Sequence, residues 1–271
     1  MLLSEIHKST KEKFDEFEIQ TSEIDSRTII KKILNLSDKD FIMDIEISLS
    51  LKENQCLSKV ISERLSGKPL SRIFGSKEFF SMRFSINEFV LDPRPESEIL
   101  VEKALDLIQE NNFKSILELG VGSGCIIAAI LSNSIETKAV GVDISEQAIM
   151  TAKSNLIKNG IKNFDLVVSD WGLSLNRAFD IIISNPPYIK TNEIKNLNKN
   201  VKDHDPLISL DGGVDGLDCY RVIANQSTHL INDKGYILVE IGHDQAKGVE
   251  KIFGNNDFLL TNKVKDYNKL V

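Results

Sequence analysis

The sequence has little cysteine and no long hydrophobic run. Its three cysteines, Cys56, Cys125 and Cys219, stand far apart in a chain of 271 residues. This number and spacing exclude a small disulfide-stapled scaffold, offer no zinc-finger pattern and suit a reducing compartment. The longest apolar run covers only residues 125–131, whereas a membrane-spanning helix needs about 20 residues. We therefore expect no metal site and no membrane span.

The amino terminus lacks the pattern of a secretion signal. Charged residues begin at Glu5 and continue with Lys8, and no apolar stretch with a small-residue cleavage site follows them. We therefore expect a cytoplasmic protein.

The chain also has no excess of positive charge. It contains 33 lysines and arginines against 40 aspartates and glutamates, for a net charge of −7, and only 7% of its residues are aromatic. Proteins that bind a phosphate backbone usually carry a basic surface, because neutralised phosphates release counterions and supply most of the affinity. We therefore expect no stable binding of nucleic acid.

The first part of the chain has helical periodicity. Apolar residues recur at spacings of three and four up to about residue 66, as in Ile29, Ile30 and Ile33, which predicts helices. The candidate N-caps are Ser22, Ser37 and Ser50. We interpret residues 1–75 as a helical domain.

A different pattern follows. Apolar residues alternate over residues 78–91, which predicts a β-hairpin with Asn87 at its turn. Pro93 and Pro95 then predict a stiff linker, and residues 96–109 a helix. We interpret residues 76–95 as a hairpin and linker, and residues 96–271 as a second domain.

The second domain alternates short apolar strands with helical stretches. Candidate strands cover residues 115–119, 138–142, 165–168, 179–184 and 236–241, with a final pair after Phe258. Such alternation predicts an α/β fold with a doubly wound parallel sheet.

A glycine-rich loop follows the first strand of this sheet. Its residues are Gly120, Val121, Gly122, Ser123 and Gly124. Glycines at this spacing let the chain turn sharply and let a ligand approach the next helix N-terminus. A dinucleotide fingerprint would need a small residue at 125 or 127, so a cofactor with an amino-acid carboxylate fits better than a pyrophosphate. The alternative is a turn that only packs strand against helix.

The next two strands end in acids. Asp143 stands where an open sheet presents a carboxylate to the hydroxyls of a ribose, although it could instead cap the next helix. Asp170 and Trp171 follow the third strand. A carboxylate there can accept a hydrogen bond from an adenine amino group, and an aromatic ring can cover the base. The tryptophan could equally be a packing residue. Together these residues indicate a nucleoside site.

The fourth strand delivers Asn185, Pro186, Pro187 and Tyr188 to the same edge of the sheet. Two successive prolines remove two backbone donors and stiffen the chain, which leaves a rigid row of acceptors. The Asn185 side-chain oxygen and the Pro186 carbonyl can each accept one hydrogen bond from a planar NH2 group, and Tyr188 can pack on the face of that planar group. The alternative is an ordinary surface turn.

These motifs together resemble the class I S-adenosylmethionine-dependent methyltransferases that act on planar nitrogens. Within that group the chain resembles the HemK/PrmC type, the peptide chain release factor glutamine N5-methyltransferases. Further matching segments are residues 67–70, 73–75, 91–98, 205–206, 211–218, 220–221 and 240–242. The sequence departs from the usual pattern at Val121, Ser97 and Asp205, and its last residues lack the usual glycine and arginine.

The resemblance implies a seven-stranded Rossmann-like methyltransferase sheet and a small helical domain that recognises the substrate. It implies S-adenosylmethionine as cofactor, with S-adenosylhomocysteine as product, bound by residues 120–124, Asp143, Asp170, Trp171 and Asn185. It implies that residues 185–188 bind and methylate the glutamine in the Gly-Gly-Gln motif of release factors, which modulates translation termination. We expect the enzyme to be a monomer.

Two other functions fit parts of the pattern. A methyltransferase for an exocyclic amine of a nucleic-acid base would use the same acceptors, but it would need a basic channel and aromatic platforms. A regulatory nucleoside-binding module without turnover would not need the acceptors of residues 185–188.

Overall fold

A computed structural model of the chain describes residues 2–265. The chain divides into two compact units, of which the first ends at Gly75 and the second begins at Ser76. Within the described residues, no helix has both the length and the hydropathy that crossing a bilayer requires.

The first unit is helical. Its helices are α1 (Leu3–Glu16), α2 (Ser22–Leu34), α3 (Asp38–Ile42), α4 (Leu51–Leu65) and α5 (Leu70–Phe74). Their apolar faces meet in one core, which contains Phe14, Ile29, Ile30 and Leu57. The helical interpretation of this region is therefore confirmed.

Two of the three predicted N-caps are confirmed. Ser37 and Ser50 begin α3 and α4 with capping boxes, and the Ser50 hydroxyl accepts from the backbone N–H of Glu53 at 3.2 Å. The prediction for Ser22 is wrong, since Thr21 occupies the N-cap position of α2. The Ser22 hydroxyl instead donates to the carboxylate of Asp15.

The second unit opens with an antiparallel hairpin of β1 (Ser76–Phe79) and β2 (Met82–Ser85). Its turn lies at Phe80 and Ser81, which have φ angles of 48° and 59°, so the prediction of Asn87 as the turn is wrong. Positive φ at both central residues is usual for two-residue hairpins, but glycine or asparagine normally occupies them. Asn87 instead donates from its amide to the Thr151 hydroxyl at 2.9 Å.

The rest of the second unit is a parallel sheet with helices. The strands are β3 (Ser115–Leu119), β4 (Lys138–Asp143), β5 (Phe164–Val168), β6 (Phe179–Ser184) and β7 (Ile231–Val239), in the order β5-β4-β3-β6-β7. The helices are α6 (Glu98–Asn111), α7 (Cys125–Asn133), α8 (Glu146–Lys158), α9 (Lys199–Lys202), α10 (Asp218–Leu230) and α11 (Ala246–Gly254). The predicted doubly wound α/β fold is confirmed.

Each face of the sheet packs against helices. Ile116 of β3 lies in the core on one face with residues of α6, α7 and α8. Leu117 and Leu119 lie in the core on the other face, where α10 supplies Ile223 and Leu230. Apolar residues on both sides of a strand explain why the strand signals are mostly apolar and do not alternate strictly with polar residues.

The predicted final strand pair is wrong for residues 258–265, which form no strand. The remainder of that prediction falls on residues 266–271, which lie outside the described residues. The parallel sheet of residues 76–265 therefore consists of β3 to β7.

The strand order positions the site. The chain leaves the central strand β3 toward β4 on one side, and β6 lies on the other side. Ligands of open α/β sheets bind at the carboxyl ends of the strands, at this switch in strand order. The Ser184 hydroxyl donates to the Leu119 carbonyl at 2.7 Å, so the ends of β6 and β3 are tied together there.

Candidate active site

The glycine loop and Asp143 form one hydrogen-bonded unit. The backbone N–H of Gly122 donates to Asp143 Oδ2 at 2.9 Å, and the N–H of Ser145 donates to Oδ1 at 3.0 Å. Gly120, Gly122 and Gly124 all have positive φ, which favours glycine. Asp143 therefore shapes the loop, whereas Ser145, and not Asp143, is the N-cap of α8. A carboxylate has about four lone-pair sites, so Asp143 retains the capacity to accept from a ligand.

The loop leaves open space on one side. A Cβ atom added at Gly120 would meet no atom within 4 Å, and one at Gly122 would have only the Gly120 carbonyl oxygen, 4.0 Å away. At Gly124 the same atom would lie 3.2 Å from the Ala152 Cβ of α8. Gly120 and Gly122 therefore border space for a ligand, whereas Gly124 permits helix packing.

Val121 and Ser123 point into the protein. Both side chains are buried. The N–H of Val121 donates to the Val142 carbonyl at 2.8 Å, and the Ser123 carbonyl accepts from the Asn155 amide at 2.9 Å. These two residues thus contribute their backbone, and not their side chains, to the form of the loop.

Two carboxyl groups lie beneath the loop. Glu118 is only 2% exposed, and its Oε2 accepts from the backbone N–H of Ile127 at 3.2 Å. Burial raises the pKa of Glu118 well above its usual range, and the neighbouring Asp143 carboxylate raises it further. Burial also raises the pKa of Asp143. The sequence interpretation gave Glu118 no role of its own.

Asp170 and Trp171 follow β5 at the same edge. The N–H of Ser169 donates to the Asp143 carbonyl at 2.9 Å, so this segment begins beside Asp143. Asp170 is exposed. Trp171 is half-buried, packs against the core on the α10 side and has a φ of 51°. Such a φ is rare for a bulky residue, and it aims the chain back toward α10, where the N–H of Gly172 donates to Gln226.

Asn185 is the first residue after β6, and its side chain has a defined partner. Its Nδ2 donates to the Ser97 hydroxyl oxygen at 2.9 Å, and that hydroxyl donates to Glu240 Oε2 at 2.6 Å. Ser97 ends the short 3-10 turn before α6, and Glu240 follows β7. Burial raises the pKa of Glu240, whereas the hydrogen bonds from Ser97 and Asn185 lower it.

The remainder of the 185–188 loop is supported from behind. The Gln245 amide donates to the Tyr188 carbonyl at 2.8 Å and to the Gly216 carbonyl at 3.0 Å. A Cβ at Gly212 would lie 2.7 Å from the Tyr188 Cα and 2.9 Å from the Pro187 carbonyl oxygen. The backbone of residues 187–188 is therefore packed directly on a glycine.

Tyr188 keeps its proton at ordinary pH. Burial raises the pKa of its phenol to about 12, and the Glu240 carboxylate acts in the same direction. Such a phenol cannot serve as a base near neutrality. Its ring is half-buried, which suits packing against a flat group.

Arg94 holds the segment before α6 in place. Its guanidinium donates to Asp205 Oδ2 at 2.6 Å, and the Asp205 side chain is 3% exposed. This buried carboxylate ties residues 94–98 to the loop before α10. This ion pair gives Arg94 a structural role that requires no ligand.

The structure thus gathers the predicted residues into two adjoining groups. Residues 120–124, 143 and 169–171 surround the ends of β3, β4 and β5, and residues 185–188 follow β6. Ser97, Glu240, Gln245 and Gly212 received no role from the sequence interpretation. Glu240 alone had a usable signal, because a polar residue directly after an apolar strand belongs to the ligand-binding edge of a parallel sheet.

Comparison with known families covers both units. The PrmC N-terminal domain model matches residues 5–75, and the methyltransferase small domain model matches residues 95–202.

Individual relatives match most of the chain. The release factor glutamine methyltransferase of Agrobacterium fabrum is 37% identical over 90% of this chain and 86% of its own length. That of Buchnera aphidicola subsp. Schizaphis graminum is 36% identical over 90% of this chain and 88% of its own length. A solved structure, the ribosomal protein L11 methylase of Lactobacillus delbrueckii subsp. bulgaricus, aligns with a TM-score of 0.49 and 16% identity over 65% of this chain and 76% of that one.

Proposed function

Because the chain belongs to the family of release factor glutamine methyltransferases, we propose that it transfers a methyl group from S-adenosylmethionine to a release factor. The acceptor is the side-chain amide nitrogen of the glutamine in the Gly-Gly-Gln motif. The single observation that carries this assignment is the rigid corner at residues 185–188, with Asn185 held by Ser97. A corner without backbone donors at its two prolines suits a planar amide.

The residues around the glycine loop fit this cofactor. Gly120 and Gly122 border open space, Asp143 has lone pairs left for ribose hydroxyls, and Trp171 offers an aromatic surface for the adenine. The cofactor supplies a methyl group that its sulfonium already activates.

The work of the protein is then to align the nitrogen and keep water away. An amide nitrogen is a poor nucleophile because its lone pair is delocalised into the carbonyl. Acceptors on both of its N–H bonds favour the pyramidal, electron-rich nitrogen of the transition state. The Asn185 side-chain oxygen and the Pro186 carbonyl supply these acceptors, and the neutral Tyr188 ring packs on the face of the amide. The carbon–sulfur bond of the cofactor would break as the carbon–nitrogen bond forms. The methylated nitrogen is then strongly acidic and would lose one proton to water, so the transfer needs no strong base.

We further propose that the helical unit of residues 1–75 contributes to release factor recognition, and that residues 96–271 form the catalytic domain. The match of the PrmC N-terminal domain model to residues 5–75 supports the first part. The gathering of the glycine loop, Asp143 and residues 185–188 on one sheet edge supports the second.

Transfer of a radiolabelled methyl group tests the proposed function. The full chain and labelled cofactor are incubated together in three reactions, each with one candidate substrate. The substrates are purified unmodified release factor, the same factor with its motif glutamine changed to alanine, and unmodified nucleic acid. We expect label only in the unchanged factor, and mass spectrometry should place one methyl on the motif glutamine. Label in nucleic acid alone would favour a base methyltransferase, and label in neither substrate would favour a module without turnover.

A further inference from the structure

Three polar side chains from distant parts of the second unit form a directed hydrogen-bond chain. The Ser97 hydroxyl donates a hydrogen bond to Glu240 Oε2 at 2.6 Å and accepts one from Asn185 Nδ2 at 2.9 Å. A carboxylate can only accept, so the serine must donate to it. The serine oxygen then faces Asn185 as an acceptor, and only the nitrogen end of the asparagine amide can satisfy it.

We propose that Ser97 and Glu240 are positioning residues that fix the orientation of the Asn185 amide, so that its oxygen faces the nitrogen to be methylated. This inference rests on the proposed function. In the opposite orientation Asn185 would present two N–H donors to the substrate amide. Donors cannot accept from an NH2 group, so the flipped rotamer would not orient the reacting nitrogen.

The surroundings of the chain make it rigid. Ser97 is 3% exposed, which removes competition from water. Glu240 is anchored through its backbone: its N–H donates to the Ser184 carbonyl at 3.0 Å, and its carbonyl accepts from the Tyr220 hydroxyl at 2.9 Å. The Asn185 amide itself stabilises the Glu240 carboxylate. The orientation is therefore set by groups that cannot easily rotate.

Ser97 also lies in a backbone segment that is itself held in place. It lies in the 3-10 turn Pro95–Ser97, next to a segment that Arg94 ties to Asp205. A hydroxyl in such a fixed turn can hold Asn185 at one distance and one angle. Serine and threonine carry the same hydroxyl, so a threonine at position 97 would preserve the interaction.

A double-mutant cycle with Ser97→Ala and Asn185→Ala tests the inference in the full chain. We expect Ser97→Ala to lower kcat by about ten- to a hundredfold through misplacement of the nitrogen. The KM for release factor and the Kd for S-adenosylmethionine should change little. Ser97→Thr should restore most of kcat. In the Asn185→Ala background, Ser97→Ala should change kcat by no more than about twofold, because its target is already absent.

Three results would overturn the inference: wild-type kcat in Ser97→Ala, failure of threonine to rescue, or losses that multiply in the double variant. If Ser97→Ala does not fold, the pair Glu240→Gln and Glu240→Leu replaces it. The glutamine keeps an acceptor oxygen for Ser97 and should retain most of kcat, whereas leucine should lose it. Equal losses in both would also contradict the inference.

A measurement without substrate separates this inference from the proposed function. The side-chain NH2 resonances of Asn185, identified by their loss in Asn185→Ala, can be followed by nitrogen-15 NMR. We expect them to shift in Ser97→Ala and to keep their wild-type positions in Ser97→Thr. Unchanged resonances in Ser97→Ala would overturn the inference even if methyl transfer is observed. The predicted shifts without any methyl transfer would contradict the proposed function and leave the orientation of the amide supported.

Discussion

At the scale of single residues, the chemistry depends on oxygen atoms that can accept from an amide. Asn185 has the best defined of them, since its nitrogen end is already bound to Ser97. Tyr188 is excluded as a base because burial raises the pKa of its phenol to about 12. The site therefore acts through position and hydrogen bonding of neutral groups, and not through a strong base.

Replacing Asn185 tests this view directly. Asn185→Ala removes one preorganised partner of the reacting nitrogen, and we expect kcat to fall by about 10² to 10³. Steady-state methyl transfer to release factor measures the effect, and thermal unfolding confirms that the variant folds. Asn225→Ala, at an exposed position of α10, is the matched control and should keep wild-type activity. Near-wild-type turnover of Asn185→Ala would be inconsistent with the proposed mechanism.

Asp143 carries a different part of the function. Asp143→Ala should weaken binding of S-adenosylmethionine by about 1.5 to 3 kcal/mol, or roughly 10- to 150-fold in Kd. It removes the ribose partner and also frees the Gly122 N–H. Calorimetric titration measures the change. Asp165→Ala, whose carboxylate is 78% exposed, is the control, and unchanged affinity in Asp143→Ala would refute the assignment.

At the scale of elements, the 185–188 loop depends on the segment that passes behind it. Residues 210–213 run beside Ile189, and the Gly212 N–H donates to the Ile189 carbonyl at 2.8 Å. Gln245 closes the other side through the Tyr188 carbonyl. The loop is thus fixed by backbone contacts of its neighbours as well as by its own prolines.

Gly212→Ala should displace this loop. The added Cβ would lie within 3.0 Å of three backbone atoms, including the Tyr188 Cα, and backbone cannot move aside cheaply. We expect kcat to fall by about tenfold or more through misplacement of the acceptors, while cofactor affinity stays near that of the wild type. Gly254→Ala, where the Cβ meets nothing within 4 Å, is the control. Full activity in Gly212→Ala would show that the loop tolerates displacement.

The buried Glu118 in β3 makes the stability of the protein depend on pH. Burial raises the folded-state pKa of Glu118, so between the unfolded and folded pKa values the native state binds more protons than the unfolded state. The contribution of Glu118 to stability is therefore fully present below the unfolded pKa of about 4.3 and is lost as pH rises through the folded pKa.

Glu118→Gln should remove this penalty and keep an oxygen for the Ile127 N–H. We expect its free energy of unfolding, relative to that of the wild type, to increase between pH 4 and pH 8, by about 1.4 kcal/mol for each unit by which the pKa is raised. Urea unfolding of the cofactor-free protein at several pH values measures this difference. A difference that is independent of pH would contradict the assignment.

The elements that the sequence predicted well are those with purely local signals. Residues 115–119 and 179–184 are mostly apolar, and the structure has β3 and β6 at these bounds. The start of β7 was missed, because Asn232, Asp233 and Lys234 are polar. An edge strand tolerates such residues at an exposed end, and Asn232 there donates to Asp180 Oδ1 at 2.7 Å.

The support of Asn185 could not be predicted from local pattern. Ser97 and Glu240 are 143 residues apart in sequence. The pairing of β7 with β6 places Glu240 beside Asn185, and the contact of α6 with β7 brings Ser97 to them. The hairpin turn was missed for a different reason, since Phe80 and Ser81 lack the residue types that normally mark such a turn. Tertiary packing, and not composition, determines both features.

At the scale of the whole molecule, each compact unit matches its own family model. The second unit has its own sheet and its own cores on both faces, and the first unit has a separate helical core. The net charge of −7 disfavours a phosphate backbone as substrate and is compatible with a protein substrate. Net charge does not identify the acceptor group, so the geometry of the active site must distinguish a glutamine amide from a base amine.

A crystal structure of the wild-type chain with S-adenosylhomocysteine and a release factor peptide containing Gly-Gly-Gln tests the central claim most directly. We predict that the glutamine nitrogen lies within about 3 Å of both the Asn185 side-chain oxygen and the Pro186 carbonyl oxygen. The nitrogen should also lie in line with the cofactor sulfur. A glutamine bound away from residues 185–188, or an Asn185 oxygen turned from it, would contradict the claim.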